Sequence, residues 1–192
     1  MISALLRVLS GSAVRTIIPG NTISFLGYNA STSMDELLHQ RFMREAIELS
    51  MSNVRAGKGG PFAAIIVREN VMLARGTNLV TSTNDPTAHA EIVAIREACR
   101  TLGSFQLDGC DFYTTCEPCP MCLGAIYWAR PKAVYYANTR DDAAGIGFDD
   151  RFIYDEFPRP HELRKIPMKQ ILRDEAFVAF RAWMNKSDKV SY

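Results

Sequence analysis

Two short motifs carry side chains that could hold a metal ion and move a proton. The first is HAE at residues 89–91, and the second is PCPMC at residues 118–122. Cys119 and Cys122 are three residues apart at the predicted start of a helix, which places both sulfurs on one helix face, and the helix dipole there favours the thiolate form that binds zinc. With His89 as the third ligand, the fourth tetrahedral position is left to water, as in catalytic zinc sites.

Glu91 indicates what such a site would do. It lies two residues after His89, so it cannot easily reach the same metal once the helix has turned, but it can reach a water bound there. The pair H-x-E and P-C-x-x-C is the signature of zinc nucleobase deaminases, in which the Glu is general acid and base and not a ligand. The alternative is a closed structural zinc site with Cys116 as fourth ligand, which would leave Glu91 without a role. The pattern therefore favours the catalytic site and makes Cys116 a buried thiol at a strand end. We expect Cys99 and Cys110 near the core, and His39 and His161 at the surface.

The hydrophobic pattern predicts the elements that position these motifs. Helices are predicted over residues 35–56, 88–102, 119–129 and 175–185, because apolar residues recur at helical spacing and Gly or Pro follows several of them. Strands are predicted over 62–68, 71–77, 112–115 and 133–137, the first two forming a hairpin around Glu69-Asn70. Residues 78–87 are predicted as a polar loop. Strands alternating with helices predict a layered α/β sheet.

Composition excludes several classes of protein. The chain has 192 residues, 47% hydrophobic and 22% charged, which is typical of a globular domain and not of a disordered chain, collagen or a coiled coil. A net charge of +1 offers no strong field for nucleic acid. No apolar run reaches the roughly 20 residues of a membrane span. Five cysteines without a secretory pattern indicate reduced thiols and a cytoplasmic protein.

Residues 1–33 differ from the rest, since they hold Arg7 and Arg15 but no acidic residue. They are interpreted as a dispensable, disordered extension, or as an upstream stretch with Met34 as the true start. A mitochondrial targeting segment is the third reading. Residues 34–192 are predicted to form one domain, whose 20 basic and 21 acidic residues leave a net charge of −1.

Longer stretches resemble one family. The motifs at residues 59–62 and 84–91, the run CEPCPMCLGAIYWARPKAVYYA from Cys116, and GIGFDD at 145–150 are similar to those of bacterial guanine deaminases, within the cytidine deaminase-like superfamily. The zinc signature is shared by the whole superfamily, whereas the long run from Cys116 is typical of a much smaller group within it. The resemblance covers residues 37–192.

This resemblance implies a three-layer α/β/α sandwich around a mixed five-stranded sheet. It implies one zinc ion per subunit on His89, Cys119 and Cys122, with Glu91 as the catalytic residue. It also implies a homodimer in which the C-terminal segment crosses to the partner subunit. The residues implied to contact the substrate are Phe62, which stacks on the base, Asn78, which hydrogen-bonds to it, Ala90, Trp128, Asp150 and the terminal Tyr192, which covers the partner's site. From residue type alone, Phe62 and Trp128 could be core aromatics, and Asn78 and Asp150 could cap turns.

The implied activity is hydrolysis of guanine to xanthine and ammonia, in purine catabolism or salvage, with no nucleic acid or membrane partner. Three alternatives stay open at this point. A guanosine deaminase would need an opening for ribose, which Tyr192 would close. A tRNA adenosine deaminase would need a basic surface for phosphates. A non-catalytic zinc module would leave Glu91 unexplained.

Overall fold

The computed structural model describes residues 33–191. The predictions for residues 1–32 and for Tyr192 therefore lie outside the described part of the chain. The described elements are α1 (Met34–Arg55), β1 (Ala63–Arg68), β2 (Val71–Thr77), α2 (Val80–Thr83), α3 (Ala90–Leu102), β3 (Cys110–Cys116), α4 (Pro120–Ala129), β4 (Ala133–Asn138), α5 (Arg140–Gly145), α6 (Arg151–Glu156), a 3₁₀ turn (His161–Leu163) and α7 (Arg173–Asn185).

The sheet is mixed, and within the described residues it has four strands in the order β2-β1-β3-β4. Strand β1 pairs antiparallel with both β2 and β3, whereas β3 and β4 are parallel. The expected fifth strand is thus wrong for this part of the chain. After β4 the described chain continues in α5, α6, the 3₁₀ turn and α7 without returning to the sheet, and α5 begins at once because Thr139 forms a capping box with Asp142.

Helices cover both faces of the sheet and make three layers. On one face, Phe42 and Ala46 of α1 pack on Ile65, Val67 and Tyr113. On the other, Ala90, Ala94 and Ala98 of α3, with Ile126 and Ala129 of α4, pack on Ala64, Ile66 and Phe112. Because β1 is buried on both faces, it is an unbroken apolar run and lacks the alternation of a half-exposed strand.

Strand direction brings the two motifs to one edge of the sheet. Strands β2 and β3 are both antiparallel to β1, so their carboxyl ends point the same way. The chain leaving β2 leads to α3 through the short helix α2, and the chain leaving β3 leads to α4. Both helices therefore begin beyond the same edge, where the ligand-binding crevices of open α/β sheets lie.

Several local predictions need correction. Residues 78–87 contain α2 and are not entirely loop, and residues 138–174, where no helix or strand is predicted, contain α5 and α6. His39 is not a surface residue: its Nδ1 lies 2.6 Å from the Tyr113 hydroxyl, and its ring stacks on Tyr135. The polar sequence around His39 favours a surface position, but the hydroxyls of Tyr113 and Tyr135 supply the polar partners that allow it to be half-buried.

The C-terminal segment is apolar but exposed. Helix α7 has no buried residue, although it carries Val178, Phe180 and Trp183. Ile166, Ile171 and Leu172 before it are also exposed. Within the described residues, no helix has the length and apolar character that a bilayer span requires.

Candidate active site

The metal-binding side chains are held by the first residues of two helices. His89 is the N-cap of α3 (φ −66°, ψ 155°), and Cys119 is the N-cap of α4 (φ −63°, ψ 167°). Neither side chain caps its own helix by a hydrogen bond. Pro120 occupies the first helical position of α4, where its fixed φ and missing N–H are tolerated. The extended caps turn both side chains away from their helices and toward each other.

The three predicted ligands meet at one point. The Nδ1 atom of His89 lies 3.6 Å from the Cys119 Sγ and 3.5 Å from the Cys122 Sγ. All three ligand atoms lie within 4.8 Å of one another. Zinc bonds of about 2.3 Å to sulfur and about 2.0 Å to nitrogen at tetrahedral angles separate such ligands by roughly 3.5 Å. The donor set therefore fits zinc with three protein ligands.

The electrostatics of the two thiols suit metal binding. Hydrogen bonds from Cys122 and then His89 lower the pKa of the Cys119 thiol to about 4, against the opposing effect of burial. The bond to Cys119 in turn raises the pKa of His89. The pKa of Cys122 is raised because its proton is held by the Cys119 sulfur and because it is buried. One thiolate is thus ready for a metal cation, which would displace the shared proton.

Cys116 lies outside this donor set. It is buried at the end of β3, and its thiol donates to the Thr139 carbonyl oxygen at 3.5 Å. Burial is the main cause that raises its pKa to about 11, so it remains a neutral thiol. This is the position predicted for a strand-end cysteine, and it favours three ligands over the closed site.

Glu91 lies in the first turn of α3 and is 6% exposed. Its Oε1 accepts a hydrogen bond from the Thr114 hydroxyl at 3.2 Å, and its Oε2 lies 3.5 Å from the Cys122 Sγ. Burial raises the pKa of its carboxyl group, with the negative charge of Cys119 adding to the effect. A carboxyl group whose proton is held more tightly than usual, beside a metal site, is suited to accept and return a proton.

A cavity of about 400 Å³ opens onto these groups. His89, Glu91 and Cys119 line one side of it, and the predicted substrate-binding residues Phe62, Asn78 and Asp150 also line it. The volume lies in the lower part of the range for small-molecule sites. Burial, followed by the charge of Cys119, raises the pKa of Asp150.

Two other predicted contact residues are not part of that lining. Ala90 is fully buried, between His89 and Glu91. Trp128 is 62% exposed near the end of α4. Their roles toward a substrate stay predictions, as does that of Tyr192.

Asn78 is fixed by several backbone contacts. Its N–H donates to the Phe62 carbonyl oxygen at 3.1 Å, and its own carbonyl accepts from Asn53 Nδ2 at 3.0 Å. Its Oδ1 accepts from the Val80 N–H at 3.3 Å, so it also acts as the turn residue that residue type suggested. A Cβ on Gly59 would lie 2.1 Å from the Asn78 carbonyl oxygen, and glycine is required for this close approach.

Sequence reasoning missed Phe148 and Thr114. The Phe148 ring stands edge-on against Phe62, with centroids 4.9 Å apart and an interplanar angle of 89°. The GIGFDD run contained Phe148, but only its final Asp was singled out. Thr114 gave no signal, since a threonine within a buried strand is typical of strands in general.

Residues 36–138 match the family described as the cytidine and deoxycytidylate deaminase zinc-binding region. This stretch extends from α1 to the end of β4 and contains Glu91 and all three metal ligands. Fold and site together define a zinc-dependent deaminase, and the chain belongs to the cytidine and deoxycytidylate deaminase family.

Comparison with individual proteins gives a more specific similarity than the family match does. The chain is 55% identical over 154 residues to the guanine deaminase of Bacillus subtilis (strain 168), covering 80% of this chain and 99% of the relative. The X-ray structure of that enzyme matches with a TM-score of 0.78 over 80% of this chain and 98% of the other. The guanine deaminase from Nitrosomonas europaea matches with a TM-score of 0.55 at 30% identity, over 83% and 98%. The tRNA-specific adenosine deaminase of Aquifex aeolicus (strain VF5) is 46% identical over 86 residues, 45% of this chain and 57% of that protein.

Proposed function

We propose that the protein hydrolyses guanine to xanthine and ammonia. One observation carries this proposal: a buried carboxylate, Glu91, stands beside the His89, Cys119 and Cys122 donor set at the wall of a cavity of small-molecule size. The similarity to the Bacillus subtilis guanine deaminase supports guanine as the substrate, because it extends over 154 residues and beyond the zinc-binding region.

The residues of this chain supply the proton transfers. When bound by the three ligands, zinc supplies a Lewis acid that makes a water molecule nucleophilic near neutral pH. Glu91 accepts the proton that this water loses and delivers it to the ring nitrogen beside C2 of guanine, where the new C–O bond forms. A second proton, from the hydroxyl now on C2, passes through Glu91 to the amino group; the C–N bond breaks, the C2 carbonyl forms and ammonia leaves. Guanine and water are thereby converted to xanthine and ammonia with every atom accounted for.

The remaining cavity residues would hold the base. Phe62, kept in place by Phe148, offers an aromatic face for stacking. Because the Asn78 Oδ1 accepts from Val80, the Nδ2 end of the amide is the part that can donate to the purine. Asp150 would accept from ring or amino N–H groups. Ala90, through its backbone, and Trp128 complete the proposed contacts.

We further propose a homodimer in which the C-terminal segment crosses to the partner subunit. The exposed apolar residues of α7 support this, because several of them lie on one helix and an extended apolar surface of this kind is typical of a protein–protein contact. A crossing segment would bring Tyr192 over the partner's cavity and close it around a bare base.

Subunit complementation tests the crossing. A Glu91→Gln subunit has an intact C-terminus but no proton carrier, and a subunit lacking Tyr192 has Glu91 but no cover. We expect each variant alone to be weakly active and a refolded mixture to recover activity, since a hybrid dimer contains one complete site. Additive activities in a mixture shown to contain hybrid dimers would contradict the crossing.

Product analysis tests the function itself. The zinc-loaded protein is incubated with guanine, guanosine and tRNA in parallel, with Glu91→Gln protein as the control for contaminating enzymes. We expect xanthine from guanine alone. Xanthosine from guanosine would mean that the pocket admits ribose. Inosine formed in a tRNA anticodon would favour a tRNA adenosine deaminase, a function with less support because the similarity to such enzymes covers fewer residues.

The location and the N-terminal stretch complete the proposal. A cytoplasmic protein is supported by five free cysteines, two of which are needed as metal-binding thiols. Residues 1–33 are proposed to be dispensable for folding and activity, since the site and core belong to residues 34–192. A chain starting at Met34 with unchanged turnover would support this, and a loss of folding would contradict it.

A further inference from the structure

Thr114 makes the one side-chain hydrogen bond from the sheet to Glu91 recorded among residues 33–191. Its hydroxyl donates to Oε1 at 3.2 Å, and both side chains are buried. A buried hydrogen bond to a carboxylate is among the stronger kinds, because charge assists it and solvent does not compete.

The strand holds this hydroxyl rigidly. Residue 114 pairs with Ala64 of β1 on one side and with Tyr136 of β4 on the other, so its backbone lies inside the sheet. Its neighbour Tyr113 points to the opposite face, where it packs on α1. Side chains carried by the interior of a sheet are positioned more accurately than those of loops.

The two oxygens of Glu91 are therefore not equivalent. Oε1 faces Thr114, whereas Oε2 faces Cys122, one of the metal ligands. Thr114 therefore lies on the side of the carboxyl group away from the metal ligand Cys122, and Oε2 is the oxygen directed toward the metal site.

We propose that Thr114 is a positioning residue for the deamination, which holds Oε1 of Glu91 so that Oε2 is directed toward the metal site. This rests on the proposed function, since Glu91 is the group that transfers protons to guanine. Among the described residues, Thr114 neither lines the cavity nor belongs to the metal-binding group, so it acts through Glu91.

Replacement by valine removes the hydroxyl while keeping the branched shape. For Thr114→Val we expect kcat to fall about tenfold or more, with KM and zinc content unchanged, because misplacing a reacting group slows chemistry more than binding. Thr114→Ser should restore kcat. If valine does not fold at this site, the Thr114→Ala and Thr114→Ser pair still isolates the hydroxyl.

Thr115 provides a matched control. It is equally buried on the same strand, but its Oγ1 accepts from the Ala63 N–H and has no recorded contact with Glu91. Thr115→Val should lower the melting temperature at least as much as Thr114→Val while leaving kcat close to wild type. Equal losses of kcat in both variants would mean that Thr114 is only structural, and wild-type kcat in Thr114→Val would overturn the proposal.

A double-mutant cycle separates this proposal from the proposed function. In the Glu91→Gln background, Thr114→Val should cause little further loss of guanine turnover. A second cycle on melting temperature uses Glu91→Ala, because glutamine could still accept the hydrogen bond from Thr114. It needs no substrate, so it reports the Thr114–Glu91 coupling even if guanine is not deaminated. No guanine turnover by the wild type would contradict the proposed function alone, whereas additive effects on stability would contradict the Thr114–Glu91 pair alone.

Discussion

His89 and Cys119 are the N-caps of two different helices, and their ligand atoms lie 3.6 Å apart. His89 lies at the end of the segment that leaves β2, and Cys119 at the end of the segment that leaves β3; both strands end at the same edge of the sheet. The metal site is therefore fixed by where α3 and α4 begin, and a shift of one residue in either helix start would separate the ligands.

The ligand set predicts which cysteines the metal needs. Cys122→Ser should lose most bound zinc, because one of three ligands is removed. Cys116→Ser should keep one zinc per subunit, since its thiol donates to Thr139 and lies outside the donor group. Metal analysis of the dialysed proteins measures this. Zinc loss in the Cys116 variant would indicate a closed four-ligand site.

The proton-transfer role of Glu91 predicts a loss of rate without a loss of metal. Glu91→Gln should lower kcat for guanine by about 10²–10⁴, the usual contribution of general acid and base catalysis, while zinc content stays at wild type. Ammonia release and metal analysis on the same samples are the measurements. Glu97→Gln is the control, since that residue lies on the same helix and pairs with Arg100 at the surface. A fully active or zinc-free Glu91 variant would refute the role.

The buried carboxyl of Glu91 predicts a pH-dependent stability difference in the metal-free protein. Burial raises its pKa above the ordinary 4.5, so the folded state binds the proton more tightly than the unfolded state. Stability from this group is then greatest below pH 4.5 and is lost as the pH rises through the raised pKa.

Glu91→Gln removes that loss because glutamine does not ionise. We expect the melting temperature of the metal-free variant to exceed that of the wild type at pH 8 and to approach it at pH 4. Calorimetry at several pH values gives the difference. A difference independent of pH would mean that Glu91 does not titrate abnormally.

The contact between β2 and α3 predicts that Gly76 is needed for metal binding as well as for folding. A Cβ at Gly76 would lie 2.2 Å from the Ala90 carbonyl oxygen and 2.5 Å from the Ala94 nitrogen, so Gly76→Ala must displace the first turns of α3. We expect destabilisation of about 3 kcal/mol or more and weaker zinc binding. Gly145→Ala, where a Cβ meets nothing within 4 Å, should be close to neutral. Chemical denaturation and zinc competition measure both.

Much of the fold could be predicted because the apolar periodicity of several helices and strands ends where a glycine or a turn-forming pair stops it. The helix at Ala90–Leu102 ends at Gly103, and the hairpin turns at Glu69-Asn70, as expected. The short helices α2, α5 and α6 could not be predicted, since each is only one or two turns and is determined by caps and neighbours more than by an apolar face.

The metal-binding and catalytic residues were predictable because each of the two motifs is short and lies at the start of one helix. His89, Cys119 and Cys122 come together as expected. The contacts that support these residues were not predictable. The Thr114 hydroxyl reaches Glu91 because the fold places Thr114 of β3 beside the first turn of α3. His39 is half-buried because the hydroxyls of Tyr113 and Tyr135 lie within hydrogen-bond distance of its ring nitrogens.

The tight turn at Glu69-Asn70 lies at the sheet edge opposite the metal site. Both residues have positive φ, 51° and 64°, and the paired strands β1 and β2 run from it toward the cavity over several residues. At about 3.3 Å per strand residue, this separates the turn from the chemistry by roughly 20 Å. A fluorescent domain or affinity peptide inserted at this turn should therefore label the protein without changing its activity, and neither chain end needs to be modified.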